Sequence, residues 1–231
     1  QLSCPAPTTI PKRKGGGFFM TAAKDARFWD RASRRYARAK ISDQGGYERT
    51  LERTRALLGP DDRVLELGCG TGTTALRLAQ HVGAYLATDI SGKMIAIAGE
   101  KAAASPVPAL TFRSATAESL VPGQAPFDAV LGFNYLHLVR NPRDTLRHIH
   151  GLLRPGGLFV SKTPCLAEMN FLIRGALLPV MRAVGLAPHV GVLSADNLAR
   201  LISDAGFDIL ATENHATKGR DTRPFIVARR A

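Results

Sequence analysis

The sequence predicts an α/β fold, one mostly parallel sheet with helices on both faces, and three observations carry that prediction. Five short apolar runs, at 64–67, 85–88, 110–113, 129–133 and 158–161, are interleaved with helical segments, the pattern of parallel strands joined by helical crossovers. The first run passes directly into the glycine-rich turn Gly68-Cys69-Gly70-Thr71-Gly72 and then into a helix. A chain of 231 residues suits one such domain with a cap and leaves little room for a second.

The elements follow in order. Residues 1–19 hold Gly15-Gly16-Gly17 but no apolar signal core, and Met20 reads as a natural start. They are therefore expected to be a disordered extension or a non-native remnant outside the fold, with residues 20–231 forming a single domain. Over 24–40, Phe28, Ala32, Tyr36 and Ala39 recur at helical spacing, as do Arg27, Arg31, Arg35 and Arg38, which predicts an amphipathic helix with a basic face. A turn at Asp43-Gln44-Gly45-Gly46 and a second helix over 47–58, closed by Gly59-Pro60, complete an N-terminal helical lid over 20–60. Helices are expected at 73–80, at 91–103 with Ser91 as its cap, and at 143–153 with Pro155-Gly156-Gly157 as its stop. Residues 166–186 are apolar but interrupted by Arg174, Gly175, Pro179 and Arg182, a two-piece cap within an insert at 164–190. Ser194 caps a further helix, and the runs 207–212 and 225–228 read as an antiparallel terminal pair.

Composition narrows the function. Residues 1–60 carry 13 basic and 5 acidic side chains, whereas 61–163 carry 10 and 8, so the excess positive charge sits on the N-terminal flank. There it could meet phosphates or an anionic membrane surface. Cys4, Cys69 and Cys165 are too few and too scattered for a disulfide scaffold or a metal site, which fits a cytoplasmic setting. No apolar run reaches the length of about 18 residues that a membrane span needs.

The decisive segment is Val64-Leu65-Glu66-Leu67-Gly68-Cys69-Gly70-Thr71-Gly72. Glycines in such a turn permit a tight bend and close approach of backbone to ligand. Thr73 stands where a dinucleotide fingerprint places its third glycine, which disfavours a nicotinamide cofactor. The run resembles motif I of the class I S-adenosylmethionine (SAM)-dependent methyltransferases. The resemblance continues, in order, through Thr88-Asp89-Ile90-Ser91, Ala115-Thr116-Ala117-Glu118, Phe127-Asp128-Ala129-Val130 and Leu153-Arg154-Pro155-Gly156-Gly157. It implies a Rossmann-like seven-stranded sheet of order 3-2-1-4-5-7-6 with strand seven antiparallel, and SAM as cofactor without a metal.

By position, the resemblance implies that Gly68, Gly70 and Gly72 line the methionine and ribose part of SAM. It gives Asp89 the two ribose hydroxyls, a task suited to an acceptor-only carboxylate. Ile90 would pack on the adenine, with Met94 more at home in the core. Thr116 stands where the family often has an Asp for the adenine amino group, leaving part of that recognition to the backbone at Ala117. Glu66 orders the turn or meets the SAM amino group, and Phe133 lies toward the methionine end. Tyr36 and Trp29 could close over the cofactor. Cys69 is common at its position and is not read as a catalytic thiol. His137 is the candidate base, the alternative being a structural histidine.

The run Gly132-Phe133-Asn134-Tyr135 replaces the Asn/Asp-Pro-Pro-aromatic signature of the branches that methylate adenine or glutamine nitrogen. The layout is most similar to the small-molecule branch that includes ubiquinone/menaquinone and phospholipid methyltransferases. The expected acceptor is thus a small lipophilic molecule. The alternatives are an RNA-directed methyltransferase using the basic N-terminal arm, for which no RNA-binding module is visible, and a catalytically silent SAM-binding protein.

Overall fold

The computed structural model describes residues 16–123, 126–168, 190–218 and 222–231. Seven strands form one sheet: β1 (Arg63–Leu67), β2 (Ala84–Asp89), β3 (Leu110–Ser114), β4 (Phe127–Phe133), β5 (Leu153–Lys162), β6 (Phe207–Glu213) and β7 (Phe225–Arg230). Their order is β3-β2-β1-β4-β5-β7-β6, as expected. Strands β1 to β5 pair in parallel, and β7 runs antiparallel to both of its neighbours. The helices are α1 (Gly16–Arg38), α2 (Gln44–Arg55), α3 (Thr73–Leu78), α4 (Gly92–Ala104), α5 (Pro142–Leu152) and α6 (Ala195–Asp204).

Both faces of the sheet are covered, which is why its strands read as continuous apolar runs instead of alternating ones. Leu65, Val130, Phe159 and Ile226 point to one face and pack with Leu146 and Ile149 of α5 and Leu198 and Ile202 of α6. Their immediate neighbours Val64, Ala129, Val160 and Val227 point to the other, against Ala75 and Leu78 of α3 and Leu51 of α2. Each fully buried aliphatic side chain in these layers contributes about 1.5–3 kcal/mol.

The expected caps are made. The Ser91 hydroxyl accepts from the Met94 amide at 3.1 Å and the Ser194 hydroxyl from the Asn197 amide at 3.2 Å. Boundaries differ where local polar groups intervene. Asp43 accepts from the Gly46 amide at 3.0 Å, so α2 starts at Gln44 instead of 47. Helix α3 ends at Leu78 and is followed by a single 3-10 turn, Ala79–His81. The largest change concerns Pro155-Gly156-Gly157, which does not separate helix from strand. Strand β5 already begins at Leu153, opposite Phe127, and resumes pairing at Leu158 opposite Ala129, so these residues form a bulge inside it. Of the cap insert, a 3-10 turn at Leu166–Glu168 is seen, and the remaining cap residues expected to enclose an acceptor lie outside the described residues. So do residues 1–15 of the expected extension, whereas its residues 16–19 belong to the first turn of α1.

Helix α2 is fastened to the far end of the sheet. Its Thr50 hydroxyl is 3.0 Å from His215 Nδ1 and accepts from Lys162 Nζ at 2.9 Å, while Arg53 Nε donates to Glu213 at 2.8 Å. Among the described residues, no helix is long and apolar enough to cross a membrane.

Candidate functional site

A cleft of about 670 Å³ opens where the carboxyl ends of β1, β2 and β4 meet α1. It lies beyond the carboxyl ends of parallel strands, where open α/β sheets bind ligands. Its floor is the turn after β1. Gly68, Gly70 and Gly72 take left-handed φ values of 71°, 55° and 75°, which L side chains rarely adopt. A Cβ on Gly68 would lie 2.9 Å from the Tyr135 ring, and one on Gly72 would lie 2.6 Å from the Phe112 ring. The turn is braced from behind by Lys101 of α4, whose Nζ donates to Thr71 O at 3.0 Å, Thr71 Oγ1 at 2.9 Å and Thr73 Oγ1 at 3.1 Å. Thr73, the departure from a dinucleotide fingerprint, thereby gains a partner that glycine could not offer.

Asp89 ends β2 at the wall of this cleft. One carboxylate oxygen accepts from the Gly70 amide at 3.0 Å and the other from the Ser91 amide at 2.8 Å. A carboxylate offers about four acceptor positions, so each oxygen keeps one. Burial pushes the Asp89 carboxyl up from its ordinary value, with the two amide bonds opposing and the nearby Asp30 carboxylate adding to the rise. Glu66, 3% exposed, lies under the turn and accepts from the Tyr85 hydroxyl at 2.8 Å. Burial and then the Asp89 charge, against that hydrogen bond, raise it to about 7. Burial likewise pushes the Cys69 thiol far up, which keeps it protonated.

Of the residues expected at the cofactor, Gly68, Gly70, Asp89, Ile90, Thr116, Ala117, Phe133 and Tyr36 all line this one cleft, with Trp29, Met94 and His137. Gly72 and Glu66 sit behind and beneath its floor and are not part of the lining. Around the 3-10 turn Ala117–Ser119 the Ser119 hydroxyl accepts from the Thr116 amide at 3.1 Å and donates to the Thr116 carbonyl at 2.8 Å, fixing the backbone here. His137 follows β4 in another short 3-10 turn. Its Nδ1 is buried without a hydrogen-bond partner among the described residues. Burial, and then the Arg223 charge, lower the imidazole to about 4.

Helix α1 forms the opposite wall through Ala22, Asp25, Trp29 and Tyr36. The Trp29 ring stands edge-on to Phe28 at 5.2 Å and to Tyr36 at 6.3 Å. Tyr36 keeps 50% of its surface open because the ring faces the cleft. Two acids hold the helix in place. Asp30 accepts from Ser91 Oγ at 2.6 Å and from the Lys93 amide at 3.1 Å, at the start of α4. Asp25 takes a two-pronged contact from Arg140, both bonds at 3.0 Å. Neither acid, nor Arg140, nor Tyr135 under the glycine turn was singled out from the sequence, where a lone Asp on a basic helix carries no signal. Trp29 and Tyr36 stand at the cleft as expected, and Asp25, which was not expected there, joins them. Asn134, with φ 51°, donates its amide to Lys162 O at 2.8 Å, and this left-handed step turns the chain from β4 along the cleft; Asn is among the few residues that tolerate it.

The arrangement fits SAM by its own chemistry: a buried carboxylate with two open acceptor positions suits a vicinal diol, and exposed backbone in a glycine turn suits a polar chain. A profile described as a methyltransferase domain matches residues 31–212. The ubiquinone biosynthesis O-methyltransferase of Rhizobium rhizogenes is 26% identical over 187 residues, 73% of this chain and 73% of that one. This chain spans less than half the length of several other curated relatives. Among solved structures, the magnesium protoporphyrin IX methyltransferase of Synechocystis PCC 6803, with bound S-adenosylhomocysteine, matches with a TM-score of 0.65 at 19% identity, covering 93% of this chain and 99% of that one. The [4+2]-cyclase SpnF matches with a TM-score of 0.67 at 21% identity, covering 84% and 83%. Those two likenesses bear on the fold alone. The profile match and the site agree: the chain belongs to the methyltransferase-domain family, in its class I, SAM-dependent form.

Proposed function

We propose that the chain transfers a methyl group from SAM to a small acceptor with a substantial apolar part. The observation that carries this reading is the gathering of Gly68, Gly70, Asp89, Ile90, Thr116, Ala117, Phe133 and Tyr36 around one cleft that also holds His137. In this reading Asp89 takes the two ribose hydroxyls on its two open acceptor positions. Ile90 lies along the adenine, and Thr116 and the Ala117 backbone, both in the cleft lining, serve the adenine edge. Glu66 and Gly72 act from below by fixing the shape of the turn.

Bound SAM supplies a methyl group already activated by its sulfonium, so the protein's work is placement and exclusion of water. Tyr36 and Trp29 supply the covering side. His137, neutral at pH 7 with its imidazole lowered to about 4, offers an unshared lone pair to an acceptor hydroxyl and orients the oxygen in line. The small-molecule character of the acceptor is supported by the ubiquinone biosynthesis O-methyltransferases among the relatives.

The test is release of S-adenosylhomocysteine across phenols, quinols, thiols and aminolipids. Turnover is expected with an apolar hydroxyl acceptor. His137→Ala should then lower kcat about tenfold to a hundredfold, the value of a hydrogen bond to the reacting atom, and leave SAM affinity unchanged. SAM binding by calorimetry with no release across the whole panel would instead identify a silent binder.

A further inference from the structure

Helix α1 sorts its charges by sign. Its two acids point inward, Asp25 to Arg140 and Asp30 to the start of α4. Its bases Lys24, Arg27, Arg31, Arg34, Arg35 and Arg38 are all exposed, and among the described residues none of them joins an ion pair. A face whose only task is solvation mixes signs, because neighbours three and four apart repel when alike. Arg27, Arg31 and Arg35 are such neighbours, as are Arg34 and Arg38. The helix dipole accounts for Arg35 and Arg38, which lie in the last turn. It does nothing for Arg27, Arg31 or Arg34.

We propose that this face docks on a bilayer surface rich in anionic lipid. The cations from Arg27 to Arg38 span about 16 Å along one straight helix, a geometry suited to a plane of phosphates. One large apolar side chain, Ile41 at 42% exposure, follows three residues after Arg38, placed to enter the headgroup layer beside the arginines. The inner face of the same helix is a wall of the cleft, so docking brings the cleft alongside the bilayer. A nucleic-acid partner is less well served: the face is convex, and among the described residues it presents no row of exposed aromatic rings such as single strands stack on.

The face is tested apart from any activity, by co-sedimentation of the full chain with vesicles. Phosphatidylcholine vesicles containing phosphatidylglycerol should bind it, pure phosphatidylcholine should not, and binding should fall steeply with salt. Each arginine near such a surface is worth about fivefold in partitioning. The variant R27Q/R31Q/R35Q/R38Q should therefore lose at least about a hundredfold, with SAM affinity and melting temperature unchanged. Equal binding of the native chain to both vesicle types overturns the proposal. So does a quadruple variant that binds anionic vesicles as well as its parent. Tighter binding to a random RNA than to anionic vesicles at equal phosphate and salt overturns it in favour of nucleic acid.

Discussion

Asp89 and Asp30 both reach the start of α4, one from the sheet and one from α1. Asp89 ends a strand hydrogen-bonded on both sides, five residues paired to β1 and five to β3. Asp30 stands on a helix joined to the rest of the domain by polar hooks and aromatic edges. The floor of the cleft is thus a by-product of the sheet and cannot move without unfolding it. The α1 wall depends on a handful of side-chain contacts, the kind of element that opens locally at low cost. A site with one fixed side and one lightly held side can keep its cofactor geometry constant while admitting and releasing ligands.

Substitutions that touch the floor should have the largest effects. Gly72→Ala adds a Cβ 2.6 Å from the Phe112 ring at a φ of 75°, combining left-handed strain with overpacking. Chemical denaturation should show a loss of about 2–5 kcal/mol; a loss below 1 kcal/mol would mean the turn yields far more easily than its packing implies. Glu66 should tie stability to pH. Its carboxyl is raised to about 7 in the fold against about 4.3 in an unfolded chain. The folded state therefore holds this proton more tightly, and the associated stability is full below about pH 4 and is lost as pH rises through 7. Glu66→Gln should remove that decline, on the order of 3 kcal/mol, in ligand-free protein unfolded with urea at a series of pH values. An identical pH profile in the variant would show that Glu66 is already ionised.

Cofactor affinity comes next. Asp89→Ala should weaken SAM and S-adenosylhomocysteine about tenfold to a hundredfold, the value of charge-assisted bonds to the ribose. Unchanged affinity by calorimetry in a folded variant would remove Asp89 from the site. The smallest expected effect belongs to the wall. Asp30→Ala loses the bonds to Ser91 and Lys93 and should weaken SAM about threefold to tenfold, with little change in unfolding free energy. An Asp30→Ala protein as destabilised as Gly72→Ala would erase the distinction between floor and wall.

The same distinction separates what the sequence revealed from what it hid. The floor was legible because its features are local: a buried run, three glycines and an acid ending the next strand lie within one continuous stretch. The caps at Ser91 and Ser194 were legible for the same reason. The bulge at Pro155-Gly156-Gly157 was not, because the residues that stop a helix also permit a bulge, and only the pairing of β4 with β5 decides between them. The hooks of α1 were hidden because Asp25 and Asp30 resemble solvent-facing acids until Arg140 and the start of α4 arrive from more than a hundred and more than sixty residues away, respectively. Apolar periodicity found the helix but not its inward-facing acids, since it assigns every charge to water.

The place of β7 has a consequence for how the chain is made. Although last in sequence, it lies inside the sheet, bonded to β5 on one side and β6 on the other. Until Phe225 and its successors leave the ribosome, β5 has an open edge and β6 has no strand to join. The contacts that fasten α2, Thr50 to His215 and Arg53 to Glu213, join residues 165 and 160 apart in the chain and must await β6. Nascent chains ending before Phe225 should therefore remain protease-sensitive from α2 onward and expose a strand edge prone to pairing with other chains. The domain matures in one late step, which places its period of greatest dependence on chaperones before β7 has been made.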